Sequence, residues 1–436
     1  MARPRTHSYL NVFINGRLVG LLHSASSGAI DFRYDPSWLT WDNSFPISLS
    51  LPLREDSFQG QPVKNVFDNL LPDNDAIRRR IAARVGAEGE DFYSLLSVLG
   101  RDCVGALQFL PDGVDPETVG AANGIPVSDS DIAETLASLE RTPLGIDRDN
   151  DFRISIAGAQ EKTALLRKDG QWYRPTGISA TTHILKPQIG TLPNGIDLSN
   201  SVENEFLCSR LIAAFGIATA TVELAQFGDQ RTLIVERFDR LWSRDHRLLR
   251  LPQEDFCQAL SKPSSQKYQA DGGPGLTDLI GLLRSSDRAD QDIATVLRAA
   301  ILFWMLGATD GHAKNFSIML YPGGRFHLAP LYDVLSAQPS VDLNLVRHGA
   351  FKLAMAVGKN RHYQIETIAA RHFIETATAA GVGRSVIKAL LDEIANTAEA
   401  TVEAEISRLP AGMPDTLVTS VQAGVKRRAA LLRMPS

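Results

Sequence analysis

The chain has 436 residues, of which 44% are hydrophobic and 22% are charged, values that are ordinary for a globular protein of two or three domains. A net charge of −5 at pH 7 excludes a protein whose whole surface attracts phosphate groups. No apolar run reaches the ~18 residues of a membrane-spanning helix, so no membrane partner is expected. Three cysteines without zinc spacing favour reduced thiols in the cytoplasm.

The N-terminal part of the chain is predicted to form its own α/β domain over residues 1–145. Two strand-like runs flank Asn15-Gly16, a dipeptide typical of tight hairpins. A helix is predicted after Asn74, where apolar residues recur at helical spacing. The stretch 111–126 carries Gly and Pro residues and predicts a loop or linker, after which a helix begins near Asp129.

Two segments in the middle of the chain have the composition of a phosphate-binding site. Ala157, Gly158 and Ala159 precede an apolar strand-like run, and such small residues let backbone N–H groups approach phosphate oxygens closely. This loop matches neither the Walker A pattern nor G-x-G-x-x-G. A second apolar strand ends at Lys186, where a kinase places its phosphate-binding ammonium group, although most strand-end lysines are merely solvated.

The next two elements are a helix and a strand. Apolar residues at helical spacing predict a helix over residues 201–215. Either Glu203 or Glu205 of this helix could pair with Lys186, and the sequence does not choose between them. The apolar strand that runs into polar residues over positions 232–238 suits a hinge whose backbone holds adenine.

The most informative stretch is the loop that contains Asp310 and Asn315. Upstream, residues 299–307 are apolar and predict a buried helix. The two polar residues lie five positions apart, the D-x-x-x-x-N spacing of a protein-kinase catalytic loop. In such a loop the Asp accepts the proton of the attacking hydroxyl, and the Asn holds a magnesium ion on the nucleotide phosphates. Because this spacing also occurs by chance, the flanking elements decide its meaning.

A predicted hairpin brings a second carboxylate to Asn315. Strand-forming residues on both sides of residues 322–324 predict two strands joined by a turn. Such a hairpin places Asn315 roughly level with Asp333, and Mg²⁺ needs only a few protein oxygens because it keeps water for the rest. Singly, Asp310 could cap a turn and Asp333 could be an ordinary loop acid. Together they favour a magnesium-dependent phosphoryl-transfer site.

The remaining sequence is less specific. Residues 251–275 are the candidate substrate groove, and the chain beyond Ile365 is alanine-rich and predicted to be helical. The predicted catalytic residues alone do not distinguish a protein acceptor from a small molecule or a lipid head group.

Several segments, spread in order over nearly the whole chain, resemble one family. They are Phe67–Asp73, Gly100–Gly105, Ile154–Thr163, Val235–Arg240, Leu251–Asp255, Gly307–Phe316 and Tyr332–Ser336. On these segments the chain resembles the HipA family, the kinase toxins of bacterial HipA–HipB toxin–antitoxin modules. The resemblance implies a protein-kinase-like, bilobal α+β fold with an added N-terminal α/β portion, a largely helical C-terminal lobe, and a kinase domain over residues 146–436.

The resemblance also implies roles for individual residues. Asp310 matches the catalytic base, and Ser155 matches a serine that family members phosphorylate on themselves to end activity. A phosphate there, with about −1.5 to −2 charges, would compete with the ATP phosphates or displace the loop. The residues implied for binding ATP and Mg²⁺ are Ala157, Gly158, Ala159, Gln160, Glu161, Lys162, Lys186, Glu236, Arg237, Phe238, His312, Ala313, Lys314, Asn315, Tyr332 and Asp333. Among these, Asn315 and Asp333 are the implied magnesium ligands.

The implied function is an ATP- and Mg²⁺-dependent serine/threonine protein kinase that arrests growth by acting on translation, with an aminoacyl-tRNA synthetase as the expected target. The implied partner is a HipB-like helix-turn-helix antitoxin that reads operator DNA, with this chain as corepressor. Where relatives place basic residues against DNA, this chain has Thr378 and Gly381. The alternatives are a corepressor with vestigial kinase activity and a small-molecule kinase.

Overall fold

The computed structural model describes residues 9–114, 116, 119–139, 141–146, 154–157, 160–192 and 195–433. Its helices are α1 (Pro36–Leu39), α2 (Gln61–Asp68), α3 (Asp75–Val85), α4 (Phe92–Leu99), α5 (Asp129–Ala137), α6 (Ser201–Ala214), α7 (Phe256–Ala259), α8 (Leu276–Leu283), α9 (Ala289–Leu306), α10 (Gln338–Asp342), α11 (Ala370–Ala379), α12 (Arg384–Ile406) and α13 (Asp415–Leu432). Its strands are β1 (Tyr9–Ile14), β2 (Arg17–Ser24), β3 (Ile30–Tyr34), β4 (Phe58–Gln59), β5 (Leu107–Pro111), β6 (Gly124–Pro126), β7 (Thr163–Lys168), β8 (Gln171–Pro175), β9 (His183–Pro187), β10 (Gly190–Thr191), β11 (Asp197–Leu198), β12 (Val222–Phe227), β13 (Gln230–Glu236), β14 (Arg240–Trp242), β15 (Leu248–Arg250), β16 (Gln253–Asp255), β17 (Ser317–Tyr321), β18 (Arg325–Leu328), β19 (Lys352–Val357) and β20 (His362–Gln364). Within these ranges, no helix has the length and apolar character needed to cross a membrane.

The chain divides into two compact units, each built from several segments. The first contains the residues up to Pro187 together with Ala225–Ser265 and Ile318–Phe326. The second contains Gln188–Leu224, Gln266–Ser317 and the residues from His327 onward. The domain boundary expected between residues 145 and 146 stays a prediction.

The first unit opens with a sheet in the strand order β4-β3-β2-β1-β5. Its predicted hairpin is confirmed: Asn15 and Gly16, with left-handed φ angles of 45° and 79°, form the two-residue turn between β1 and β2. Alternate side chains of a strand point to the same side of the sheet, so apolar residues at alternate positions give the sheet one apolar face. This face packs against α2 through an edge-to-face contact of Phe32 with Phe67, 5.6 Å between ring centroids.

Two helices of the first unit begin where the sequence predicts. Asn74 caps α3, because its side-chain oxygen accepts the N–H groups of Ala76 and Ile77. Ser128 and Asp131 form a capping box at the start of α5. Both arrangements satisfy N–H groups that the first turn of a helix leaves without helical partners.

A second sheet of the first unit has the strand order β12-β13-β9-β7-β8-β6. Helix α5 covers it through Ile132 and Leu136, which share one buried cluster with Leu165, Leu185 and Ile234. Burial of this apolar surface fixes β9 between β7 and β13, so the strand that ends near Lys186 lies inside the sheet.

The prediction of a loop over residues 111–126 is wrong at both ends. Pro111 is the last residue of β5. Gly124–Pro126 form β6 and pair with β8 at the edge of the second sheet. An edge strand tolerates Pro126, which has no N–H to donate to a neighbouring strand. The Gly and Pro content that predicts a loop is therefore compatible with this short edge strand.

A fully buried network of charges joins distant segments of the first unit. The carboxylate of Asp102 accepts hydrogen bonds from three arginines: Arg240 at 2.8 Å, and Arg237 and Arg250 at 3.2 Å each. Asp239 pairs with two of them, Arg237 at 2.8 Å and Arg240 at 3.0 Å. Burial acts to raise the pKa of Asp102, but the three guanidinium groups outweigh burial and hold its pKa well below the usual range.

The second unit is largely helical. Helix α9 contacts α8 and α13, while α12 contacts α13 and α6. The predicted helix over residues 201–215 is confirmed as α6, and α11, α12 and α13 confirm the helical character expected beyond Ile365. Arg210 of α6 also forms an ion pair with Glu405 of α12 at 2.5 Å.

We expect Asp102→Asn to lower the free energy of unfolding by about 3–5 kcal/mol, because three buried guanidinium groups lose the charge that they surround. Urea unfolding followed by circular dichroism measures this change. The matched control is Asp245→Asn, which removes a carboxylate from an exposed pair with Arg247 and should leave stability nearly unchanged. Equal effects of the two substitutions would contradict the role assigned to Asp102.

Candidate active site

The buried helix predicted before the catalytic loop is confirmed. Residues 299–307 cover the last turns of α9, which are buried, and the glycine that follows the helix. Gly307 has φ 70°, a left-handed conformation that ends helices and that glycine adopts without steric cost. The indole N–H of Trp304 donates to the carbonyl oxygen of Ile365 at 2.9 Å. The loop after α9 therefore starts from a fixed point.

The C-terminal end of α9 is tied to two other parts of the second unit. The last carbonyl groups of a helix have no partner within it. Here the Ser336 hydroxyl donates to the carbonyl of Leu306 at 2.5 Å, and Arg428 Nε donates to that of Met305 at 2.9 Å. Asn204 of α6 donates in turn to the carbonyl of Ser336 at 2.8 Å. Burial lowers the pKa of Arg428 to about 9.

The loop after α9 presents Asp310 to solvent. The N–H of His312 donates to the carbonyl of Asp310 at 2.8 Å, and the N–H of Asn315 donates to the carbonyl of His312 at 2.9 Å. The N–H of Ala313 donates to the carbonyl of Lys267 at 3.3 Å. These bonds fold the loop back on itself, so that Asp310 is exposed while Asn315 is buried.

The hairpin brings Asn315 and Asp333 together, at the level that the sequence predicts. Strands β17 and β18 are neighbours in one sheet, and Asn315 Nδ2 donates to the carbonyl of Asp333 at 3.1 Å. The Asn315 side-chain oxygen and the Asp333 carboxylate are of the oxygen types that Mg²⁺ prefers, so this pair fits the ion. Asp333 has φ 62°, and strained backbone of this kind is concentrated at functional sites.

Other residues predicted as nucleotide contacts support the same loop. The Tyr332 hydroxyl donates to the carbonyl of Lys314 at 2.8 Å and lies 2.6 Å from the Ser317 hydroxyl. His312, Ala313 and Lys314 are all buried. Their contacts with a nucleotide stay predictions, whereas their packing shows how the loop keeps its shape.

In the first unit, Lys186 occupies an internal strand position. It lies opposite Leu233 of β13 and only 7% of the residue is exposed. The side-chain nitrogen of Gln160 donates to the carbonyl of Pro187 at 3.2 Å, which ties the predicted phosphate loop to the end of the same strand. The phosphate-binding roles of Lys186 and Gln160 stay predictions.

The remaining residues of the predicted phosphate loop make contacts of their own. Gly158 and Ala159 lie outside the described residues. The ammonium group of Lys162 donates to the carbonyl of Ala157, and Glu161 forms an ion pair with Arg80 at 2.6 Å. Lys162 therefore makes a contact with the first residue of its own predicted loop.

The predicted adenine segment is divided by the structure. Glu236, at the end of β13, is exposed and Phe238 is half-buried. The guanidinium group of Arg237 instead lies in the buried charge network. The backbone N–H of Arg237 donates to the carbonyl of Thr182 at 2.9 Å. The structure thus shows Arg237 in a structural role inside the protein, away from solvent.

The side chain of Ser155 is buried. Its hydroxyl donates to the carbonyl of Leu70 at 2.8 Å, and its N–H donates to the carbonyl of Asp102 at 2.9 Å. In the described arrangement the hydroxyl is enclosed by protein, so phosphorylation of Ser155 requires this segment to leave its place.

Glu203 and Glu205, the two candidate partners of Lys186, are both buried in α6. The side-chain nitrogen of Gln188 donates to Glu203 at 2.6 Å. The choice of partner for Lys186 stays open.

Sequence reasoning missed the residue that contacts the predicted base. The hydroxyl of Tyr268 donates to Asp310 Oδ1 at 2.5 Å. Tyr268 lies within the candidate substrate groove at 251–275, and the sequence contains no signal that pairs it with Asp310. Such a contact between distant positions depends on the folding of the whole unit.

Comparison with known proteins identifies both parts of the chain. The HipA N-terminal domain family matches residues 10–110, and the HipA-like C-terminal domain family matches residues 154–402. "Putative kinase Y4mE" of Sinorhizobium fredii is 36% identical over 98% of both chains. The serine/threonine-protein kinase toxin HipA of Shewanella oneidensis is 27% identical over 92% of this chain and 90% of its own.

A solved structure shares the fold. It is the complex of Shewanella oneidensis HipA and HipB with operator DNA, which covers 97% of this chain and 98% of its own with a TM-score of 0.81 at 24% identity. The kinase-like α+β fold class expected from the sequence is thereby confirmed.

We expect Arg428→Met to lower the free energy of unfolding by about 2–4 kcal/mol, because the carbonyl of Met305 and the side chain of Gln338 lose a buried donor. Thermal and urea unfolding measure the change. Arg427→Met, at the exposed neighbouring position of α13, is the matched control. If both variants unfold like the unmodified protein, Arg428 does not hold the end of α9.

Proposed function

Because this chain belongs to the HipA family of kinases, we propose that it transfers the γ-phosphate of ATP to serine or threonine hydroxyls of a protein. The observation that carries this proposal is the arrangement of Asp310, Asn315 and Asp333 at the end of α9. The exposed carboxylate of Asp310 lies in the same loop as Asn315, and the Asn315 amide donates a hydrogen bond to the backbone carbonyl of Asp333. Protein kinases use these groups to orient the attacking hydroxyl and to hold the metal ion.

We propose that Asp310 orients the acceptor hydroxyl and takes its proton. Its exposure supports this role, because an acceptor must reach it from solvent. Asn315 and Asp333 hold Mg²⁺, which neutralises charge on the phosphates when it is bound. Asn315 Nδ2 donates a hydrogen bond to the backbone carbonyl of Asp333, so the amide is oriented before the ion binds. The Asn315 side chain therefore needs little rearrangement during the reaction.

We propose that residues of the first unit bind the nucleotide. Lys186 and the backbone of residues 157–162 bind the phosphates, and the segment of Glu236 and Phe238 contacts adenine. The position of Lys186 within a sheet supports the first role, because a rigid strand limits the conformations of its side chain. Positioning of this kind supplies much of the acceleration in phosphoryl transfer.

The proposed cellular role is that of a toxin paired with a HipB-like antitoxin. Its target is a translation component, with an aminoacyl-tRNA synthetase as the first candidate, and the antitoxin-bound chain acts as a corepressor on operator DNA. We assign the DNA reading to the antitoxin. Two basic residues of α13 are engaged within this protein: Lys426 with Glu403 at 2.7 Å, and Arg428 with the end of α9.

We propose that the kinase ends its own activity by phosphorylating Ser155. The phosphate adds about −1.5 to −2 charges, and the buried place of the hydroxyl faces the carbonyl of Leu70, a hydrogen-bond acceptor. Two acceptors cannot satisfy each other, so the modified segment does not return to this position. The loop that follows Ser155 then loses the anchor at Asp102.

We expect Asp310→Asn to reduce phosphoryl transfer by about 10²–10⁴-fold while ATP binding is retained, because the amide cannot accept the proton. Purified protein is incubated with Mg²⁺ and labelled ATP, and incorporated label and nucleotide affinity are measured. The control is Asp392→Asn, at an exposed position of α12. A normal rate in Asp310→Asn would contradict the base assignment. ATP binding without transfer by the unmodified protein would favour the corepressor or small-molecule alternatives.

We expect Ser155→Ala to remove the label that the protein incorporates into itself. Peptide mapping by mass spectrometry locates the label in the unmodified protein and in the variant. We also expect the transfer activity of Ser155→Ala to persist during preincubation with ATP, whereas that of the unmodified protein declines. Undiminished self-labelling of Ser155→Ala would place the modified residue elsewhere.

A further inference from the structure

The side chain of Tyr268 lies on the carboxylate proposed as the catalytic base. Its hydroxyl donates to Asp310 Oδ1 at 2.5 Å, and its ring meets that of His312 edge to face with 4.9 Å between centroids. The carbonyl of the preceding residue, Lys267, accepts the N–H of Ala313. Tyr268 is therefore attached to the catalytic loop by its backbone neighbour, its ring and its hydroxyl.

The segment that carries Tyr268 has its own anchors in the second unit. The N–H of Gly273 donates to the carbonyl of Tyr268 at 3.0 Å, and the side chain of Gln269 accepts the N–H of Ala356 at 2.7 Å. A Cβ atom at Gly273 would lie 2.0 Å from the carbonyl oxygen of Gln266, so the turn closes tightly around this glycine. These contacts place the phenol at Asp310 before any acceptor arrives.

The phenol makes the bond that an acceptor must make. Phosphoryl transfer requires a hydroxyl that donates a hydrogen bond to Asp310. A phenol is a more acidic donor than water or an aliphatic alcohol, and a hydrogen bond to a carboxylate is stronger than one between neutral groups. Isolated water or a small alcohol therefore competes poorly for this position. A protein gains further contacts with the surrounding surface and can displace the phenol.

We infer that Tyr268 is a specificity-determining residue of the proposed kinase: it holds the acceptor position on Asp310 against water and small alcohols and yields it to a protein acceptor. Asp310 is exposed and Tyr268 is only half-buried, so the pair can separate without opening the core of the unit. This inference rests on the proposed function and adds to it the selection of the acceptor.

The test compares ADP release without an added acceptor between the unmodified protein and Tyr268→Phe, both with Mg²⁺ and ATP in excess. We expect steady-state release to rise about tenfold or more in the variant, because water no longer competes with a charge-assisted hydrogen bond. Phosphorylation of an added serine-containing protein should rise by a smaller factor than ADP release, because a protein acceptor already displaces the phenol. Adding Asp310→Asn to the variant should abolish both increases.

Tyr363→Phe is the matched control, because Tyr363 is a half-buried tyrosine of the same unit outside the catalytic loop. ATP affinity and thermal unfolding show whether each variant folds, and Tyr268→Leu is the second variant at the site. Unchanged ADP release in both Tyr268 variants would overturn the inference. A fall in both reactions would also overturn it, because Tyr268 would then hold Asp310 in place for catalysis.

The two proposals fail in different ways. If the unmodified protein and all variants bind ATP but show no Asp310-dependent label or ADP release, the proposed kinase function fails and this inference fails with it. If the unmodified protein incorporates label through Asp310 but the Tyr268 variants release ADP at its rate, the inference alone fails.

Discussion

The packing of the second unit depends on the hydrogen-bond donors that bind the last carbonyl groups of α9, which have no partner within the helix. A buried helix cannot leave its last carbonyls without donors, because an unpaired buried polar group costs about 1–3 kcal/mol. Ser336 and Arg428 supply the donors, and Asn204 holds Ser336 in turn. The loop with Asp310 starts at this point, so its position is set by α6, α13 and the segment after Asp333.

The first unit uses a different device, a buried set of opposite charges centred on Asp102. Its carboxylate binds three guanidinium groups, while its backbone carbonyl accepts the N–H of Ser155. Charges removed from water are stable only when they are paired and hydrogen-bonded, so these segments must meet in one arrangement. Asp102 therefore both joins the charge network and fixes the segment that leads into the predicted phosphate loop.

The sequence predicts local features well and distant contacts poorly. The hairpin at Asn15-Gly16, the buried end of α9 and the approach of Asn315 to Asp333 follow from periodicity and turn residues over short spans. The burial of Arg237 and the contact of Tyr268 with Asp310 join positions far apart in the chain, and composition does not determine them. Strand β6 was missed because Gly and Pro suit both a loop and a short edge strand.

The left-handed backbone of Asp333 has a consequence for how this protein can change over time. For a residue other than glycine, such a conformation costs about 1–2 kcal/mol. Selection for thermal stability alone would favour the substitution Asp333→Gly, and that change would delete a carboxylate from the loop. Under the proposed function the same substitution would also remove an oxygen ligand of Mg²⁺. Stability and the proposed chemistry therefore place opposite demands on this single residue.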